Sequence, residues 1–221
     1  MKRIKVFTDR YPYLGPAIWI LTVEYFIIQL IVATSWKVTA YSWRFNTISD
    51  LGSTTCGYLD GRYVCSPLHS LMNISLIALG FLMSSGSLLI YQEFRERTST
   101  FLGFSLMGMA GFGTLVVGIF PENTVSLLHI LGASLPFLLG NISLIILGLS
   151  LFSRSKILQT YTVLSGVISL IALAFYVTHH YTLLGIGGME RIIAYPQTVW
   201  LIFFGLYMSH NEYFRPRKIS K

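Results

Sequence analysis

Between Asn46 and Asn73 the chain reads NTISDLGSTTCGYLDGRYVCSPLHSLMN, and this stretch holds Asp50, both cysteines, His69 and Asn73. Further along come Glu122, His129, the neighbours His179 and His180, and the pair Glu190–Arg191. Imidazoles and carboxylates are the side chains that move protons near neutral pH, and a guanidinium can hold a phosphate in its fork. Asp50, His69, His129 and Glu190 are therefore candidate catalytic residues. Asn73, Glu122, Arg191 and Glu24 are candidate ligand-binding residues, with Arg191 suited to a phosphate. His69 and Asn73 are four apart, so a helix puts them on one face. Glu122 and His129, seven apart, share a face if a helix starts at the Pro121–Glu122–Asn123 turn.

Three imidazoles with carboxylates nearby also make a zinc donor set: His69, His129 and His179 as ligands, with Asp50 or Glu122 as base or supporting group. Against it, the chain has neither HxxxH nor HExxH. Neighbours such as His179 and His180 lie about 100° apart on a regular helix and cannot both face one point. A hydrogen-bonded polar network is the competing reading of the same residues. His69 and His129 have suitable depth for a bis-His haem, with nothing else in its favour. Ser66 or Ser49 as nucleophile with His69 and Asp50 is a further reading. Ser66–Pro67 reads more simply as a helix start, Ser at the N-cap and Pro at the first helical position.

The elements that must position these groups are set by composition. Hydrophobic residues make up 53% of the 221 and charged residues 11%, against about 25% charged in an average soluble domain. So few charges cannot cover a water-facing surface, whereas lipid needs none. A helix crosses the bilayer core with roughly 20 apolar residues. Six segments qualify: Leu14–Ser35, Pro67–Tyr91, Thr100–Phe120, Thr124–Phe152, Ile157–Thr178 and Ile192–Met208. Pro136 inside the fourth predicts a kink. The glycines at 103, 108, 111 and 113 predict close helix packing. The basic start MKRIKVFTDR resembles the opening of a signal peptide. The apolar segment after it is too long and lacks a small-residue cleavage site, so the first span is expected to stay as an anchor.

The formal charge of +7 could point to nucleic acid, but the placement of the basic residues points to membrane orientation. With the N-terminus inside, the inner segments hold twelve Lys and Arg and the outer ones four: Lys37, Arg44, Arg62 and Arg191. That bias puts both termini in the cytoplasm of an all-α, six-helix bundle in the cell membrane. Residues 36–66 then form an exofacial loop, where Cys56 and Cys65 are expected to be a disulfide, with a metal-binding pair as the weaker alternative. The candidate site residues gather toward this outer end, as around a polar cavity. Glu24 instead sits mid-span in WILTVEYFIIQL. A central carboxyl costs about 2.5 kcal/mol or more to insert, so it makes one interhelical hydrogen bond as a neutral acid or handles a proton or ligand. NISLIALG at 73–80 and NISLIILG at 141–148 hint at an internal parallel repeat.

The order YSWRFNTISDLG, SPLHSLMN, GIFPEN with LHILGA, then GGMER resembles the prokaryotic integral-membrane family known as domain of unknown function 998, over essentially the whole chain. A more distant similarity is to the Frag/DRAM/Sfk group, some of whose members are linked to lipid or GPI-anchor handling. The resemblance implies a membrane bundle and hints at lipid as the partner. It brings no established activity. Asp50, His69, Asn73, His129 and Glu190 stand at its motif positions without assigned roles.

Three functions follow as expectations. The first is the binding or processing of a lipid or isoprenoid ligand in the outer cavity. The second is a non-enzymatic carrier, sensor or assembly partner, whose polar cluster stitches helices together. The third, with Glu24 coupling protons, is a transporter, although six spans are few and only Pro136 hints at a broken helix.

Overall fold

The computed structural model describes residues 2–94, 98–152 and 155–210. A short helix α1 (Lys2–Arg10) precedes six helices long and apolar enough to cross a membrane. These are α2 (Leu14–Thr34), α3 (His69–Tyr91), α4 (Thr98–Ile119), α5 (Ser126–Leu151), α6 (Lys156–Val177) and α7 (Thr182–His210). Five of them fall within a few residues of the apolar segments. The last begins at Thr182 rather than Ile192, because the glycine run 185–188 is not a flexible lead-in but the helix's first turn. The basic residues Arg95, Arg97, Arg154, Arg215, Arg217, Lys218 and Lys221, on which the orientation argument leans, lie outside the described residues.

The helices pack through small residues and through rows of buried apolar side chains. A Cβ on Gly111 would stand 2.7 Å from the Gly80 carbonyl oxygen, so α3 and α4 meet backbone to backbone. The two NISLI segments occupy matching places, each in the first helix of an antiparallel pair, α3 with α4 and α5 with α6. Their serines both bond across helices: Ser75 to Glu24 at 2.8 Å and Ser143 to the Gly103 carbonyl at 2.8 Å. Pro136 lacks the N–H that an α-helical turn needs. The chain widens there into a π-helical segment, Leu135–Gly140, instead of breaking. An aromatic core of Trp19, Phe104, Trp200 and Phe204 fills the half of the bundle nearer the chain termini, with Trp200 stacked on Phe204 at 4.8 Å.

The opposite end is capped by residues 35–68. They contain a 3-10 turn, Ser49–Gly52, and a hairpin of β1 (Gly57–Leu59) and β2 (Arg62–Val64). Gly57 pairs with Val64 and Leu59 with Arg62, around a turn in which Asp60 and Gly61 take φ of 45° and 76°. The Cys56–Cys65 disulfide closes the base of this hairpin, as expected. Links 120–125 and 178–181 lie at the same end of the bundle, and Asn123 in the first of them donates to Thr54 and Thr55 of the cap at 3.0 and 2.9 Å.

Candidate functional site

The cap is held by buried charge. Asp50 is 0% exposed. Its Oδ2 accepts from Asn46 Nδ2 (3.0 Å), the Thr47 N–H (3.0 Å) and Arg62 Nε (3.1 Å), and its Oδ1 from Arg62 Nη2 (3.0 Å). The 3-10 turn makes this local: Thr47 Oγ1 in return accepts the Asp50 N–H at 3.0 Å. Burial pushes the Asp50 carboxyl up, but hydrogen bonds from Arg62 and Glu122, together with the Arg62 charge, outweigh it and hold Asp50 below the usual range. Glu122 moves the other way. Burial first, then the negative charge of Asp50, pushes it up to about 9. The two neighbouring acids thus shift in opposite directions, as like charges sharing a buried site do.

A second buried cation locks the cap to α7. Arg191 directs Nη1 at the carbonyls of Trp43 (3.0 Å), Asn46 (3.0 Å) and Gly187 (2.7 Å). Its Nε donates to Tyr195 Oη at 3.1 Å and its Nη2 to Tyr41 Oη. Its guanidinium also stands 4.8 Å from the Trp43 ring centre. Two glycines allow this approach. Gly185 takes φ of 70°, and a Cβ on Gly187 would stand 2.9 Å from Arg191 Nη1. Tyr195 Oη donates on to Gln29 Oε1 at 2.8 Å and Tyr41 Oη to the Thr47 carbonyl at 2.7 Å. A continuous string of hydrogen bonds therefore runs from α2 through α7 to Asp50 and the hairpin.

Beneath the cap, Ser49 meets two helices. Its Oγ lies 3.0 Å from His129 Nε2 on α5 and 3.3 Å from Glu190 Oε1 on α7, so its one proton has a nearer and a farther acceptor. Glu190 Oε2 accepts the Ile48 N–H. His129 Nδ1 is 2.8 Å from the Phe120 carbonyl oxygen. A carbonyl only accepts, so Nδ1 carries the ring proton and Nε2 turns its lone pair to Ser49. Ser49 and Glu190 form the polar rim of a cavity of about 50 Å³ whose walls include Leu76, Leu79, Met83, Val117 and Ala194. The π-helical part of α5 contributes Pro136 and Phe137.

The model of the family described as "Protein of unknown function (DUF998)" matches residues 20–207. The chain belongs to the DUF998 family. The match takes in the cap, both buried arginines and every residue of the cavity. No curated protein and no solved structure matches the chain.

In this DUF998 chain the expected residues separate into groups. Asp50 and Glu122 meet in the cap, and His129 and Glu190 meet at Ser49. Asn73 donates to the Gly52 carbonyl at 2.9 Å and so fastens the cap to α3. His69, one turn away, is half-buried, with Nδ1 3.3 Å from Ser70 Oγ. His179 is exposed against Tyr181 at 2.7 Å. His69, His129 and His179 are not brought together, and among the described residues no three His, Cys, Asp or Glu side chains gather as a metal-holding group. Arg191 directs its guanidinium at the cap's carbonyls. Glu24 stands apart, accepting from Ser75 Oγ at 2.8 Å with Oε1 buried and unpartnered.

The two serines read as possible nucleophiles turn their hydroxyls to partners other than His69. Ser49 pairs with His129 and Glu190, not with His69 and Asp50. Ser66 donates to the Leu51 carbonyl at 2.6 Å. The residues that sequence reasoning passed over, Tyr41, Asn46, Thr47 and Tyr195, carry local signals. Asn46 and Thr47 precede Asp50 at turn spacing, and Tyr195 follows Arg191 by one helical turn.

Proposed function

We propose that this DUF998 protein binds a lipid or isoprenoid-type amphiphile under its cap, with both termini cytoplasmic and the cap outside. The observation that carries this reading is the cavity: a few polar side chains, Ser49 and Glu190 beneath the cap with Thr114, Gln197 and Thr198 deeper in, line a mostly apolar chamber inside a membrane bundle. About 50 Å³ is too small for a whole lipid. It fits the polar end of one chain, the remainder lying between helices or in the bilayer. Such a site has the usual make-up of a small-molecule pocket, apolar walls with a few placed polar groups.

The test is native mass spectrometry of the detergent-purified protein beside Ala194→Phe, which adds a ring to the chamber wall on α7, one helical turn from Glu190. The reading expects an amphiphile retained by the wild type and lost from the variant at comparable thermal stability. A wild type that retains nothing, or a variant that keeps the same adduct, contradicts it.

A further inference from the structure

We infer that Ser49 is a nucleophile activated by His129, and that the amphiphile taken up under the cap carries an acyl ester on which this pair acts. The inference rests on the pocket reading for its substrate and on the geometry of the pair for its chemistry.

Three observations carry it. Ser49 Oγ and His129 Nε2 are 3.0 Å apart, the reach that nucleophile and base need for direct proton transfer. The ring is oriented by a third group: Nδ1 is anchored 2.8 Å from the Phe120 carbonyl at the end of α4, which fixes the tautomer in which Nε2 is the base. His129 itself is only 7% exposed, so a bulk water does not compete for that lone pair. Finally, the serine opens the 3-10 turn Ser49–Gly52 and lines the cavity wall, where a substrate would lie against it. Glu190 stands beside the pair. Its Oε2 holds the Ile48 N–H and its Oε1 is the second, longer acceptor for the Ser49 hydroxyl at 3.3 Å. It positions the turn that presents the serine, while the imidazole takes the proton.

The reaction balances without a cofactor. The Ser49 hydroxyl proton passes to His129 Nε2 as the Oγ–C bond forms at the ester carbonyl. The imidazolium returns that proton to the leaving alcohol oxygen as its bond to the carbonyl carbon breaks. Water or an acceptor alcohol then attacks the acyl-Ser49 ester, giving its proton to His129, and the serine leaves with that proton restored. Acyl transfer to water or to an alcohol is therefore the class of activity assigned.

The test is covalent labelling of the full-length, detergent-purified protein with a long-chain alkyl fluorophosphonate, in which a serine oxygen displaces fluoride from phosphorus. The adduct is located by peptide mass spectrometry, and co-purified amphiphile is measured on the same sample. The expected result is one adduct on Ser49, absent in Ser49→Ala and formed on the order of 100-fold more slowly in His129→Ala. His129→Gln keeps an amide in place of the ring and serves if the alanine variant does not fold. Retained amphiphile without an adduct on Ser49 overturns the nucleophile and leaves the pocket standing. Neither amphiphile nor adduct overturns both readings. An adduct that forms as fast in both His129 variants overturns the base.

Discussion

Replacing Asp50 by Asn removes the anion that Arg62 grips with two nitrogens, and leaves a largely buried guanidinium without a counter-charge. Breaking one side of a buried pair costs about 3–5 kcal/mol. Asp50→Asn is therefore expected to lower the thermal midpoint in detergent sharply and to reduce monodisperse yield. Glu122 makes the opposite kind of prediction. The folded protein holds its proton above the pH at which a free carboxyl, near 4.5, releases it, up to about 9. The folded state thus binds more protons than the unfolded chain across that window, and stability falls as pH rises through it, by at most about 1.4 kcal/mol per pH unit for one proton. Glu122→Gln keeps a donor toward Asp50 and removes the titration. Thermal midpoints measured from pH 5 to pH 9.5 should slope downward for the wild type and flatten for the variant. Asp50, held below its ordinary 3.8, weakens the protein only as pH falls into the acid range. The acidic and imidazole side chains were visible in the sequence, but their partners were not. Helical spacing shows that His69 and Asn73 share a face without showing which neighbour that face meets. Ser49 and His129 are 80 residues apart and meet only because the cap folds back over α5.

At the scale of elements, the cap depends on a hairpin too short to stand alone, since an isolated two-stranded ribbon is marginal in water. The Cys56–Cys65 bridge closes it with a sequence separation of 9, and such a crosslink is worth about 2–4 kcal/mol. Cys56→Ser/Cys65→Ser should therefore lower the thermal midpoint and loosen Arg62, seen as faster hydrogen exchange in 57–64 with α3 and α4 unchanged. The seat of the cap on α7 makes an independent prediction. A methyl at Gly187 would press on Asn46 and on Arg191, so Gly187→Ala should cost about 1–3 kcal/mol by overpacking. Gly188, whose added Cβ would meet only Leu184 Cβ at 3.2 Å, should accept alanine with a much smaller loss of midpoint. Hydrophobic length alone placed five spans well, because lipid demands it. It placed the sixth start too late, since Glu190, Arg191 and the glycines before them look like a loop until their buried partners are known.

Taken whole, the molecule is a six-helix bundle with an aromatic core toward one end and a charged, disulfide-closed cap over the other. The proposed orientation, with the cap outside, makes its own prediction. A C-terminal fluorescent fusion that matures only in the cytoplasm should be bright, and an impermeant thiol reagent added to reduced whole cells should reach Cys56 or Cys65. The two ends differ in what they enclose. The core end has stacked rings, whereas the capped end has the chamber beneath Ser49 and Glu190. The central claim is that an amphiphile enters that chamber, and photocrosslinking tests it most directly. Purified protein is reconstituted with a lipid carrying a photoreactive group along its chain, irradiated, and mapped by peptide mass spectrometry. The account predicts crosslinks to chamber walls such as Leu76, Met83 and Ala194 that Ala194→Phe abolishes. Crosslinks confined to outward-facing residues such as Ile27, Phe81 and Phe112, which are 53%, 62% and 60% exposed, would contradict it.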